Sequence, residues 1–89
     1  MINVLMRRLP EGLKVVKTNS RAYAKEEKVW FEYNGQQIIG YLPKTCAPGM
    51  ENKVADRTIF NAMIEMALSR EDLDDARFWL DKVKELAKT

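Results

Sequence analysis

The hydrophobic pattern is densest in meaning between Ile59 and Leu68, where the chain reads Ile-Phe-Asn-Ala-Met-Ile-Glu-Met-Ala-Leu. Projected at about 100° per residue, the turn angle of an α-helix, residues 53–69 gather Ala55, Ile59, Ala62, Met63, Met66 and Ala67 on one face, with Phe60 at its flank. That periodicity predicts an amphipathic helix. Val54, Ile64 and Leu68 fall on the other side, among Lys53, Arg57 and Asn61. A helix lying on a single layer has no use for this second apolar group, so two covers are expected: a sheet on one side, and a helix or a second subunit on the other. In the plain reading all of these residues are core; in the sharper one Ile64 and Leu68 form an oligomer seam.

The strongest turn signal is Asn34-Gly35, between Val29-Trp30-Phe31-Glu32-Tyr33 and Gln36-Gln37-Ile38-Ile39-Gly40-Tyr41-Leu42. Both turn residues tolerate positive φ, which favours a two-residue type I′ hairpin. Closure there opposes Tyr33 to Gln36, Phe31 to Ile38 and Trp30 to Ile39, and alternation sends the last two pairs to opposite faces. Both faces of the hairpin are therefore partly apolar. Upstream, Ile2, Val4 and Met6 alternate with Asn3, Leu5 and Arg7, which predicts a short strand. Pro10-Glu11-Gly12 suits a turn, with Leu13 to Lys17 as the return strand, and Thr18-Asn19-Ser20 punctuates the chain. Residues 21–28 fit either a short capped helix or an extended segment.

After Pro43, the stretch from Lys44 to Gly49 predicts a loop, and Asn52 is the expected N-cap of the central helix. Ser69 is the expected N-cap of a last helix, whose stripe is Leu73, Ala76, Leu80, Val83 and Ala87, flanked by Trp79 and Leu86. The short connection predicts antiparallel packing of the two helices. Together these elements predict an α+β fold: a small antiparallel sheet of β-hairpins followed by two antiparallel C-terminal helices. Residues 1–89 form one expected domain, mainly β over 1–45 and a helical hairpin over 50–89.

Length and composition narrow the function classes. Eighty-nine residues leave no room for a second core, and a chain of this size buries only about 60% of its unfolded surface, so association would help stability. The net charge of +2 is too small to argue for nucleic acid. Its distribution is uneven, though: residues 1–45 carry +4 and residues 46–89 carry −2. The apolar start is cut by Arg7-Arg8, too early for a signal-peptide core, and no run approaches the ~20 residues of a membrane span. A cytoplasmic location is expected, in the host cytoplasm if the gene is viral.

Catalytic chemistry finds little support. The chain has no histidine, the commonest general base near neutral pH and a frequent metal ligand. Cys46 has no imidazole partner and no second cysteine for a disulfide or a metal cluster. The acids Glu71, Asp72, Asp74 and Asp75 are explained by a helix start. Glycines 12, 35, 40 and 49 are scattered singly, so there is no phosphate loop. The chain is expected not to be an enzyme and to carry no cofactor or metal, although proton transfer by a tyrosine, lysine or carboxylate stays open.

Surfaces remain. Phe78 projects away from the stripe of the last helix, beside Asp74, Asp81 and Glu85, and an aromatic among acids can anchor a protein contact. With Trp30, Tyr41, Ile64 and Leu68, these give the candidate protein-contact set Trp30, Tyr41, Ile64, Leu68, Phe78, Asp74 and Asp81. The N-terminal half is basic and aromatic, and Arg7, Arg8, Lys17, Arg21, Tyr23, Lys25 and, farther on, Arg57 are candidates for holding a nucleotide or a single strand of nucleic acid. A solvated basic face with core aromatics is the plain alternative.

Asn34-Gly35, Ile39-Gly40, Cys46, Pro48 and an alanine-bearing helix through Ala62 together resemble part of a phage family, the anti-Thoeris sponges. These are small oligomers that sequester cyclic nucleotide signals. The likeness covers about a third of the chain, and the loop after Cys46 is shorter and lacks an acidic run, so no ligand residue is carried over. The resemblance implies a compact, non-catalytic, virus-encoded binder. The leading expectation is a phage-type inhibitor acting by stoichiometric binding to a host defence protein. A homo-oligomeric cyclic-nucleotide sponge and a single-stranded nucleic-acid-binding module are the alternatives.

Overall fold

The computed structural model describes residues 1–88; residue 89, the last of the expected domain, lies outside the described residues. The order of elements is α1 (Ile2–Arg7), β1 (Lys14–Asn19), β2 (Glu26–Tyr33), β3 (Gln36–Pro43), α2 (Glu51–Ser69) and α3 (Leu73–Ala87). The three strands form an antiparallel meander in the order β1-β2-β3, followed by two C-terminal helices. The fold is α+β.

Asn34 and Gly35 take φ of 49° and 78° and close the hairpin, pairing Tyr33 with Gln36, Phe31 with Ile38 and Trp30 with Ile39. Alternation then sorts the sheet. Val29, Phe31 and Leu42 point inward and are fully buried, while Lys28, Trp30, Ile39 and Tyr41 point to the other side. Residues 21–25 form no helix; the chain turns there and enters β2 at Glu26.

The N-terminus corrects the sequence reading. Residues 2–7 are a helix, not a strand, and β1 pairs with β2 instead of with them. Six residues satisfy either period. The deciding residue is Leu5, which a strand would have turned to solvent beside Asn3, and which is 0% exposed in the core. Arg8 anchors this corner through a bidentate pair to Asp56 of α2, Nε to Oδ1 at 2.6 Å and a second nitrogen to Oδ2 at 2.8 Å.

Helix α2 runs antiparallel to β3. The Gln36 amide donates to the Met66 carbonyl (2.9 Å) at one end, and the Thr58 hydroxyl donates to the Tyr41 carbonyl (3.2 Å) near the other. Ala55, Ile59, Ala62 and Met66 fill the space above the sheet. On the far side of the helix Phe60 meets Trp79 of α3, with ring centroids 5.6 Å apart. The sheet, α2 and α3 are thus stacked, and the second cover foreseen for the central helix is α3.

Two helix boundaries and one helix face differ from expectation. The cap of α2 is Met50, one position before the helix and two before Asn52. Ser69 does not start the last helix; it ends α2, and its hydroxyl donates back to the Glu65 carbonyl at 3.0 Å. The turn that follows is a Schellman motif, with Asp72 N–H donating to the Ala67 carbonyl and Glu71 N–H to the Leu68 carbonyl. Glu71 takes the left-handed position, φ 59°. Asp72 is then the true N-cap of α3, accepting from the Asp75 N–H at 3.1 Å. The seam on α3 is also rotated. Ala76, Trp79, Val83 and Leu86 turn inward, while Leu73 (70% exposed), Leu80 and Ala87 remain outside. The indole has far more area to bury than a leucine, and its contact with Phe60 sets the helix orientation.

Candidate functional site: the open face of the sheet

Among the described residues, no helix packs on the outer face of the sheet. Its centre is Trp30, half-buried, with Ile39 beside it on β3 and Lys17 opposite it on β1. The Lys17 ammonium lies 4.8 Å from the centre of the Trp30 ring, a cation–π contact that covers one side of the indole. Tyr41 is 51% exposed and pairs with Lys28. Lys14 faces Glu32, whose carboxylate accepts from the Gln37 amide at 3.1 Å. The face is therefore a row of aromatic and aliphatic groups bordered mainly by ammonium groups.

At one end this row opens into a cleft of about 250 Å³ lined by Asn19, Arg21, Ala24, Lys25, Glu26, Lys28 and Tyr41. The loop that brings Arg21 and Lys25 there is tied down rather than free. Ala24 N–H donates to the Arg21 carbonyl and Lys44 N–H to the Lys25 carbonyl, each at 3.1 Å, and the Lys44 ammonium donates to the Arg21 carbonyl. Three cations and one carboxylate, Glu26, surround a phenol ring, and this net positive setting makes a place for an anionic group with a flat apolar portion. Tyr23, on the same loop, is fully exposed.

The basic residues singled out from sequence do not form one site. Arg21, Lys25 and Lys17 share the outer face. Arg8 is withdrawn from that set. Its guanidinium is engaged by Asp56, and the hydrogen bond and charge of that carboxylate raise its pKa above the ordinary value, against an opposing contribution from burial. Arg7 is exposed on α1, on the inner side of the sheet, and Arg57 is exposed on α2, beside Val83 and Leu86. Lys14 and Lys28 belong to the basic, aromatic N-terminal half read from sequence, and the structure places both on this face. The residues absent from the candidate sets are Asn19 and Ile39, although the hairpin register already paired Ile39 with Trp30.

The protein-contact candidates also divide. Trp30 and Tyr41 lie together on the open face. Ile64 is half-buried and Leu68, 51% exposed, is not enclosed as expected. Phe78 is exposed on α3 with Asp74 and Asp81, but it is not isolated: its ring meets Trp79 edge-on at 5.0 Å, and the Lys82 ammonium sits 5.1 Å from its centre. Cys46 is half-buried, its sulfur 3.9 Å from that of Met1. Among the described residues there is no group of three or more His, Cys, Asp or Glu placed to hold a metal ion, and no helix is long and apolar enough to cross a membrane. No protein-family model, curated protein or solved structure matches the chain.

Proposed function

We propose that this protein is a non-enzymatic binding domain that seats an acidic protein surface on the open face of its sheet, through Trp30, Ile39 and Tyr41, with Lys14, Lys17 and Lys28 supplying charge complementarity. One observation carries the reading: a face of the sheet has aromatic and aliphatic groups along its middle and, among the described residues, no layer of the fold over them. Aromatic anchors ringed by charge are the composition of a contact surface, where the rings supply affinity and the charges supply rate and selectivity. Binding of this kind is stoichiometric. The phage resemblance supplies the setting, inhibition of a host defence protein.

A second reading rests on the cleft at the end of that face. Arg21, Lys25 and Lys28 beside Tyr41 suit a phosphate and a base, as in a cyclic nucleotide or one unit of a single strand.

The test uses wild-type protein, a Trp30→Ala/Tyr41→Ala variant and a Phe78→Ala variant as parallel baits in host extract, each first shown to be folded. The expected result is a partner recovered in defined ratio by wild type and by Phe78→Ala, and lost with the double variant. Retention by the double variant and loss with Phe78→Ala would move the contact to α3 and refute the proposal. Thermal shift with cyclic nucleotides, and fluorescence anisotropy with a labelled single-stranded oligonucleotide, separate the second reading. Stabilisation abolished by Arg21→Ala/Lys25→Ala would favour it.

A further inference from the structure

The two edges of the sheet are built differently. β1 carries Lys14 and Lys17 and a register shift between Val15 and Lys17, and both features discourage another strand from pairing there. β3 has neither. It runs Gln36-Gln37-Ile38-Ile39-Gly40-Tyr41-Leu42-Pro43 without a charge or a bulge, and among the described residues no strand pairs with its outer side.

The register says which groups are open. A two-residue hairpin closes on a hydrogen-bonded pair, here Tyr33 and Gln36, and such pairs recur at every second residue. Gln36, Ile38, Gly40 and Leu42 therefore turn their backbone groups to β2. Gln37, Ile39 and Tyr41 turn theirs outward, and Pro43 has no N–H to offer. Alongside this edge runs a groove whose other wall is α2. One part, about 330 Å³, is lined by Glu26, Ile39, Gly40, Tyr41, Thr58, Asn61, Ala62 and Glu65; the next, about 310 Å³, shares Glu26 and adds Arg57 at the Pro43 end.

We propose that the outer edge of β3 pairs antiparallel with β3 of a second copy, joining two sheets into one six-stranded sheet about a two-fold axis at Ile39. With Ile39 opposite Ile39, Gln37 of each copy meets Tyr41 of the other, and all the outward N–H groups of this five-residue edge find carbonyls without calling on Pro43. The Tyr41 carbonyl already accepts from Thr58, but a carbonyl oxygen has a second lone pair.

Charge selects a second copy over an unrelated strand. On the open flank of α2, Arg57, Asn61 and Glu65 are spaced four residues apart and all are exposed. Thr58 is level with Tyr41 and Met66 with Gln36, so Asn61 is level with Ile39 and falls at the axis. The two-fold then sets Arg57 of each copy opposite Glu65 of the other, a reciprocal pair of opposite charges. Among the described residues neither side chain has an ion pair within its own chain. Glu26 lines both parts of the groove and adds a second carboxylate at the Arg57 end, so the Arg57 guanidinium of each copy faces both Glu26 of its own chain and Glu65 of the other.

Sedimentation equilibrium across a concentration series tests this. Wild type is expected at twice the 10.3 kDa of one chain. Arg57→Glu and Glu65→Arg, both at exposed positions, are each expected to return the protein to monomer with an unchanged circular dichroism spectrum. The Arg57→Glu/Glu65→Arg exchange is expected to restore the dimer. In a Cys46→Ser background, Asn61→Cys is expected to form a disulfide-linked dimer on oxidation. A wild-type monomer at hundreds of micromolar overturns the proposal, as does a dimer indifferent to both charge reversals. Dissociation by Leu68→Asp but not by Arg57→Glu overturns it too, by placing the seam on the helices. Trp30→Ala leaves the dimer intact here, so this result is independent of whether the open face binds a partner.

Discussion

Alanine at Gly40 puts a methyl carbon 2.7 Å from Cε2 and 3.3 Å from Cδ2 of Phe31, with the Thr58 methyl 3.6 Å away on α2. Carbon atoms pack at about 3.5–4.0 Å, so the ring or the strand must give by roughly 1 Å. The ring has nowhere to go: Phe31 is fully buried beneath α2. Overpacking a dense core costs about 1–3 kcal/mol, and a rigid aromatic neighbour places this substitution in the upper part of that range, about 2–3 kcal/mol. For a domain of this size the melting temperature should fall by about 10–20 °C. Urea denaturation followed by circular dichroism measures it, as a lower midpoint at unchanged slope.

Two companions isolate the cause. Gly35→Ala meets nothing within 4 Å, but φ there is 78°, so it should lose about 1 kcal/mol through backbone strain with no steric part. Phe31→Leu alone should cost about 1–2 kcal/mol as a cavity. Combined with Gly40→Ala it should cost less than the sum by at least about 1 kcal/mol, because the leucine vacates the space that the methyl takes. A Gly40→Ala midpoint within error of wild type, or strict additivity in the double variant, would refute the packing of β3 beneath α2 described here.

Other consequences are smaller and equally direct. Glu71→Gly should raise stability by about 1 kcal/mol by relieving the left-handed backbone at the end of α2, read from thermal unfolding. Asp72→Ala should remove the cap of α3 at a cost of about 1 kcal/mol, whereas Ser69→Ala, at the cap expected from sequence, should change stability by less than about 0.5 kcal/mol. Arg8→Lys keeps the charge but cannot form both bonds to Asp56; it should lose about 0.5–1 kcal/mol and leave partner binding untouched, by calorimetry. Lys17→Met should leave the fold intact while slowing association with an acidic partner, in stopped-flow measurements at low salt.

Local signals in the sequence settled the hairpin, its register, the central helix and the α+β class, because each is set within a few residues: positive φ at Asn34-Gly35, strict alternation around it, and a long 3.6-residue period through Ile59. Wherever two local solutions were equally good, the tertiary structure decided. Residues 2–7 had strand and helix periods alike, and burial of Leu5 together with the tie from Arg8 to Asp56 selected the helix. Ser69 and Asp72 were both fit to cap a helix, and the Schellman turn at Glu71 assigned the role to Asp72. The basic residues looked like a single group along the chain, yet the meander put Lys17, Arg21 and Lys25 on one face and sent Arg8 and Arg57 to α2. Spacing along the chain constrains what neighbours can do; which distant groups share a surface depends on how the layers stack.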